Sequence, residues 1–299
     1  MATDPRRITD GGLETDLIFH RGRDLPEFAA FPLLDDEPGR GLLRDYYTDY
    51  VALAARAQVP LLLETPTWRA NPDWGVRVGY DDVALGRVNR DAVDFLRGLD
   101  TSGVPHVEVG GVVGPRGDGY VPGAAVDPDE AAAYHRPQLQ AFRDAGATRA
   151  TALTLTDVGE AIGVARAGAD LGIPVGIGFT VETDGRLPGG TTLAEAVERV
   201  DADTPPDYFL VNCAHPEHVE RGLDDGLWRL RVGGLRVNAS TLSHAELDES
   251  TELDDGDPLQ LATDHARLVD LLPAVRVVGG CCGTDVRHVA ALWGQDVNR

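Results

Sequence analysis

Thr148-Arg149-Ala150-Thr151-Ala152-Leu153-Thr154-Leu155 is a run of aliphatic and β-branched residues, and Asp157 then opens a helical pattern that lasts to Leu171. Ile173–Val181 turns β-rich again, so this segment reads strand, helix, strand. Outward from it, the same alternation fills the chain. The other strand candidates are Arg7–Thr9, Pro60–Glu64, His106–Val113, Tyr208–Asn212, Leu235–Asn238 and Val275–Val278. Amphipathic stretches follow them at Leu42–Gln58, Asp82–Leu99, Pro128–Ala145, Leu193–Ala202, Pro216–Gly222, Pro258–Leu272 and Asp285–Trp293. In the first of these, Leu43, Tyr46, Tyr47, Tyr50, Val51, Ala54 and Ala55 share one stripe, as a helix face packed on a core requires. Eight strands, each followed by a helix at a spacing of about 35 residues, are the arithmetic of a single α/β (β/α)8 TIM barrel. An open doubly wound sheet is the alternative, and the regular repeat favours closure. No linker or low-complexity tract divides residues 1–299, and the acidic segment Glu246–Asp257 reads as a loop. One barrel domain is expected.

Composition removes several classes of function. The 299 residues are 42% hydrophobic, enough for a sizeable core, while the longest apolar run falls far short of a membrane span. The opening residues Met1 to Arg7 hold no apolar stretch of the kind a secretory signal needs, so a cytoplasmic protein is expected. All 27 basic residues are arginine, against 49 acidic ones, for a net charge of −22. Such a surface repels phosphate backbones and anionic lipid, so neither nucleic acid nor membrane is an expected partner. Without lysine there is no Schiff base, no pyridoxal phosphate anchor and no P-loop.

Three cysteines carry the chemistry. Cys213 follows the sixth strand, and Cys281 and Cys282 follow the eighth. An odd number argues against a disulfide framework and for a reduced compartment. In a closed barrel the C-terminal strand ends converge on one mouth, where active sites sit. Three thiolates meeting there form a soft site suited to Zn2+ with an open fourth position. The flanking Gly279, Gly280 and Gly283 permit the sharp turn that two adjacent ligands need. A substrate thiol in the fourth position becomes a thiolate near neutral pH, a nucleophile for an activated methyl group. The competing reading is three small buried hydrophobes.

Asp10-Gly11-Gly12-Leu13-Glu14-Thr15, Asn212-Cys213, Asn238-Ala239-Ser240 and Gly279-Gly280-Cys281-Cys282-Gly283-Thr284 occur in this order along nearly the whole chain. With them the sequence resembles the homocysteine S-methyltransferase family of zinc-dependent barrels. Phe179–Pro188 also looks like the branch of that family that uses S-methylmethionine. The resemblance implies Zn2+ held by Cys213, Cys281 and Cys282, and homocysteine or a related thiol as acceptor. It places Asp10, beside Gly11 and Gly12, at the acceptor's amino group, with the matched Asn212 and Asn238 as expected substrate contacts; Glu64 joins them as a carboxylate at a strand end at the mouth. Betaine-using members carry a C-terminal extension, and folate- and cobalamin-using relatives carry further domains. The expected donor is therefore a sulfonium, S-methylmethionine or S-adenosylmethionine. One position departs from the pattern. Where the family has a Glu-Thr pair closing the fourth strand, this chain has Leu153-Thr154, leaving Asp157, Glu64 or Glu182 to compensate.

Other residues weigh toward structure. Glu14 and Asp16 suit a helix's first turn as well as a site. His215 and His218 flank Pro216, a helix start, and read as structural rather than as ligands. Trp68 and Trp74 read as packing more than as a donor pocket. Gly110, Gly111 and Gly114 form no dinucleotide fingerprint. Two further functions stand beside methyl transfer: a zinc hydrolase, for which harder ligands are missing, and a non-catalytic zinc- or thiol-binding barrel.

Overall fold

The computed structural model describes residues 5–120 and 123–296. Eight parallel strands close in sequential order into a barrel: β1 (Arg7–Ile8), β2 (Leu61–Glu64), β3 (Val107–Val113), β4 (Arg149–Leu155), β5 (Val175–Phe179), β6 (Tyr208–Asn212), β7 (Val232–Val237) and β8 (Val277–Gly280). Closure runs through β1 and β8, where Arg7 lies opposite Val277 and Ile8 opposite Val278. Around the strands stand α1 (Glu37–Ala57), α2 (Asp82–Arg97), α3 (Pro128–Asp144), α4 (Val158–Leu171), α5 (Leu193–Asp203), α6 (Pro216–Arg221), α7 (Pro258–Leu271) and α8 (Val286–Leu292). The expected barrel is the observed one.

Aspartate is used structurally here. α1, α2, α3, α4, α7 and α8 each begin on an aspartate, Asp36, Asp81, Asp127, Asp157, Asp257 and Asp285, whose carboxylate accepts from first-turn amides. A short carboxylate at that position satisfies donors the helix cannot and complements its dipole. Part of the acidic excess is therefore local structure. The same capping explains why α1 begins five residues before the expected Leu42: Asp36 accepts from Gly39 N at 2.6 Å.

Strand alternation sorts the side chains. On β2, Leu61 and Leu63 pack outward in the main core, while Leu62 joins an inner cluster with Val112, Leu153, Tyr208, Leu210 and Val277. Ion pairs from Glu108 to Arg7 (2.7 Å) and to Arg149 (3.3 Å) lie at the N-terminal end of the lumen. Polar residues of the upper layer therefore face the C-terminal mouth.

Gly110 and Gly111 lie within β3, inside the expected strand His106–Val113, whereas the acidic segment and β8 differ from expectation. A Cβ at Gly111 would collide with the buried Phe142 ring of α3, which explains a glycine inside a strand. Gly111→Ala is expected to cost about 1–3 kcal/mol of stability by overpacking, read as a lower urea midpoint at unchanged slope. The acidic segment Glu246–Asp257 starts inside a short helix, His244–Asp248, whose capping box pairs Ser243 with Glu246. β8 begins two residues later than expected and takes in Gly279 and Gly280, so Cys281 follows the strand directly. Among the described residues, no helix is long and apolar enough to cross a membrane.

Candidate active site

Local backbone geometry brings the three thiols together. β6 ends at Asn212, and Cys213 adopts a left-handed φ of 55°, turning the chain sharply at the mouth. Cys281 is tied down by its own amide to Val237 O (2.8 Å) and by Thr284 Oγ1 to its carbonyl (2.7 Å). Gly283, at φ 76°, completes the turn. Cys213 Sγ then stands 2.6 Å from Cys281 Sγ and 3.5 Å from Cys282 Sγ, and all three sulfurs lie within 4.8 Å of one another. Non-glycine residues held at positive φ tend to mark functional sites, and Cys213 is one of them.

The cluster is electrostatically frustrated as a set of bare thiols. Burial opposes charge on Cys213, yet hydrogen bonds from Cys281, Cys282 and Tyr120 pull its thiol well below the usual range. Cys281 and Cys282 are pushed up, first because they donate to Cys213. One thiolate is thus favoured and three are not, unless a cation neutralises them. Two sulfurs on one zinc ion stand no more than about 4.6 Å apart, a limit that both Cys213 pairs meet. The donor set fits a soft divalent metal. Tyr120 Oη approaches Cys213 Sγ at 3.1 Å and Cys282 Sγ at 3.7 Å, and its ring packs on His244 at 4.5 Å. A lone tyrosine in a Gly- and Pro-rich loop carries no sequence signal for this place.

Beside the thiols lies a carboxylate cluster around Arg236 of β7. Its guanidinium reaches Asp10 at 2.6 Å, contacts Glu64, and donates to Gly280 O and Gly11 O. Asp10 also accepts from Tyr46 Oη (3.1 Å) and Thr9 Oγ1 (3.2 Å). Burial raises the Asp10 carboxyl to about 6; Arg236 opposes that rise and Glu64 adds to it. Asp10, Gly11, Gly12 and Glu64 line the same cavity as the cysteines, and so does Glu14. Burial pushes Glu14 up to about 7, against the pull of its own amide and with the negative neighbours Cys281 and Asp10 adding to the rise. Arg236, mid-strand, carries no sequence signal for this place, and Glu14, whose position suits a first turn as well as a site, lines the cavity.

The remaining candidates divide. Asn212 is buried, and its amide group clamps Thr154, accepting from Thr154 N at 2.9 Å and donating to Oγ1 at 2.8 Å, with Nδ2 also 4.0 Å from Cys281 Sγ. That clamp holds Thr154 at φ 63°, at the point where the β4–β5 register shifts. Asn238 lines a second cleft of ≈ 530 Å³ that adjoins Cys282. Trp68 and Trp74 line that cleft as well, with the Arg69 guanidinium stacked between them at 4.0 and 3.5 Å. Leu153 is at the mouth, an apolar side chain where the resemblance calls for a carboxylate. Neither Asp157 nor Glu182 replaces it: Asp157 caps α4, and Glu182 pairs with His244 at 2.8 Å. Asp16 pairs with Arg21 (2.7 Å), and His215 caps α6, so both act structurally.

A closed (β/α)8 barrel with a trithiol cluster and a ring of carboxylates at its catalytic end defines a class of barrel enzyme built for sulfur chemistry. The chain belongs to the homocysteine S-methyltransferase family, whose family model matches residues 7–294. It is a thiol methyltransferase of that family. A homocysteine S-methyltransferase of Escherichia coli (strain K12) is 27% identical over 309 residues, covering 95% of this chain and 93% of its own length. Crystal structures of the E. coli homocysteine methyltransferase MmuM, in oxidized and metallated forms, superpose with a TM-score of 0.74. They are 22% identical and cover 98% of this chain and 96% of their own, a likeness of fold.

Proposed function

We propose that this chain is one barrel domain, working in the cytoplasm, that transfers a methyl group from a sulfonium donor to homocysteine, with Zn2+ held by Cys213, Cys281 and Cys282. The observation that carries the reading is the convergence of all three thiols on one cavity with Asp10 and Glu64. When bound, zinc supplies a Lewis acid that keeps the acceptor sulfur as thiolate near neutral pH. The relative MmuM having been solved in a metallated form supports the metal.

The protein's own groups do the rest. Tyr120 lies against Cys213 and Cys282, on the side of the cluster where Cys213 is buried. Asp10, oriented by Arg236 and Tyr46, presents a carboxylate to the acceptor's ammonium. Leu153, Val112 and Trp68 line the other wall of the cavity and suit methylene groups. Across Cys282, the larger cleft offers the rings of Phe28 and Tyr120 and the acidic Asp118 and Asp248 to a sulfonium cation, while Arg69 already covers Trp68 and Arg77 pairs with Glu27. The acceptor sulfur bonds the methyl carbon as the donor's carbon–sulfur bond breaks, and the donor leaves as a neutral thioether. Proximity and alignment supply the rate.

Zinc content and methionine formation from homocysteine, with S-methylmethionine and with S-adenosylmethionine, test the reading on purified protein. One equivalent of zinc and methionine from at least one donor is the expected result. Metal-free protein, or zinc without methionine from either donor, overturns it.

A further inference from the structure

We infer that Glu14 is a second anionic partner, beside the Arg236-paired Asp10, of the ammonium group on an α-amino thiol substrate, and that its uncompensated charge supplies most of this mouth's preference for an amino acid over a plain thiol. This inference rests on the thiol-acceptor reading above. Three carboxylates line the cavity that holds the cysteines: Asp10, Glu64 and Glu14. Two already face a cation, because Arg236 engages both Asp10 and Glu64. Thr9 Oγ1 donates to each of them, and Tyr46 to Asp10. The carboxylate of Glu14, half-buried at the cavity wall, accepts from its own amide and makes no ion pair among the described residues; Arg236 attracts it without touching it, while its near neighbours Asp10 and Cys281 are negative or can become so. A partly desolvated carboxylate in that setting favours the arrival of a cation.

Its placement is rigid. Glu14 sits in the turn Leu13–Thr15, and both ends of that turn are fastened to the cysteine loop. Gly12 N donates to Thr284 O at 2.9 Å, Gly283 N donates to Thr15 Oγ1 at 3.2 Å, and Thr15 Oγ1 donates back to Gly12 O at 3.0 Å. The backbone that carries Glu14 is therefore held at a fixed place relative to the Cys281–Cys282 turn, which limits the positions its carboxylate can take at the cavity. The wall built by Leu153, Val112 and Trp68 has no charge to offer. An ammonium a few bonds from a sulfur seated among the cysteines meets its unpaired counter-charge at Glu14, next to Asp10.

The test is a binding measurement on zinc-loaded protein, wild type and Glu14→Gln, titrated by calorimetry with homocysteine and with its des-amino analogue, sulfanylbutanoate. Wild type is expected to prefer homocysteine by about 10- to 100-fold, the worth of a charge-assisted hydrogen bond in a dry site. Glu14→Gln, nearly isosteric, is expected to lose most of that preference while binding sulfanylbutanoate as wild type does. Glu14→Asp should recover part of it. A preference that survives largely intact in Glu14→Gln, an equal weakening of both ligands, or no preference in wild type overturns the inference. Failure of the functional reading looks different: the preference and its loss persist, but neither thiol is methylated.

Discussion

Cys282→Ala is expected to strip the metal and end methyl transfer while leaving the barrel folded. Zinc content should drop from one equivalent to below about a tenth, and turnover should fall at least about 10³-fold. Outer-shell partners of a metal ligand are alone worth roughly 10- to 100-fold, and a ligand is worth more. The fold should survive because Cys282 lies beyond the end of β8, partly exposed, and contributes no strand pairing. Thiol titration reads this site without background, since the chain's three cysteines are all in the cluster. In wild type, zinc should protect all three from a thiol reagent and a chelator should release them together. The two thiols left in Cys282→Ala should react at once, with or without added zinc. A variant that kept both its zinc and its turnover would sink the trithiolate reading and return the cysteines to ordinary packing.

What the chain discloses before folding follows from the range of each signal. Strand and helix periods are local, and the cysteines stand at the ends of strands the pattern already marks, so the barrel and its trithiol mouth are legible. Lumen contacts are not local. Arg236 sits mid-strand among aliphatic neighbours, and only the closed barrel sets it against Asp10 and Glu64, which come from β1's loop and β2. Tyr120 escapes for a related reason: it lies in a loop, and only the fold sets its hydroxyl against Cys213 and Cys282. Asn212 is a further case. Its place beside Cys213 suggests a substrate contact, and the structure shows its side chain clamping Thr154 and reaching Cys281 Sγ at 4.0 Å, contacts across the barrel that sequence adjacency does not reveal. A carboxylate missing at Leu153 is thus no measure of the mouth's charge, which three other elements supply.

Arg236→Leu is expected to be among the most destabilising single substitutions in the chain, at about 3–5 kcal/mol, because it leaves charge buried without a partner. Asp10 and Glu64 are 5% and 2% exposed, so water cannot replace the guanidinium. The loss should depend on pH in an unusual direction. Burial already holds the Asp10 carboxyl at about 6 against an ordinary 3.8, although Arg236 pulls it down. The folded state therefore binds that proton more tightly than the unfolded chain, and stability from this group falls as pH rises between those values. Without Arg236 the folded-state value climbs further, so the window of loss extends upward beyond 6. Both proteins gain from protonation of Glu14, held at about 7, on acidification from about pH 8 to about pH 6, and the variant should gain more unfolding free energy than wild type there, because the wild-type Asp10 contribution changes little. Urea midpoints across that range, at constant ionic strength, separate the two. Adding Asp10→Asn and Glu64→Gln to Arg236→Leu removes the stranded charges and should restore a large share of the loss and flatten its pH dependence. A cost below about 1 kcal/mol in Arg236→Leu would mean that water reaches the cluster and screens it as it screens a surface pair. Asp10 would then lack the dry, oriented setting in which a carboxylate can select an ammonium ion.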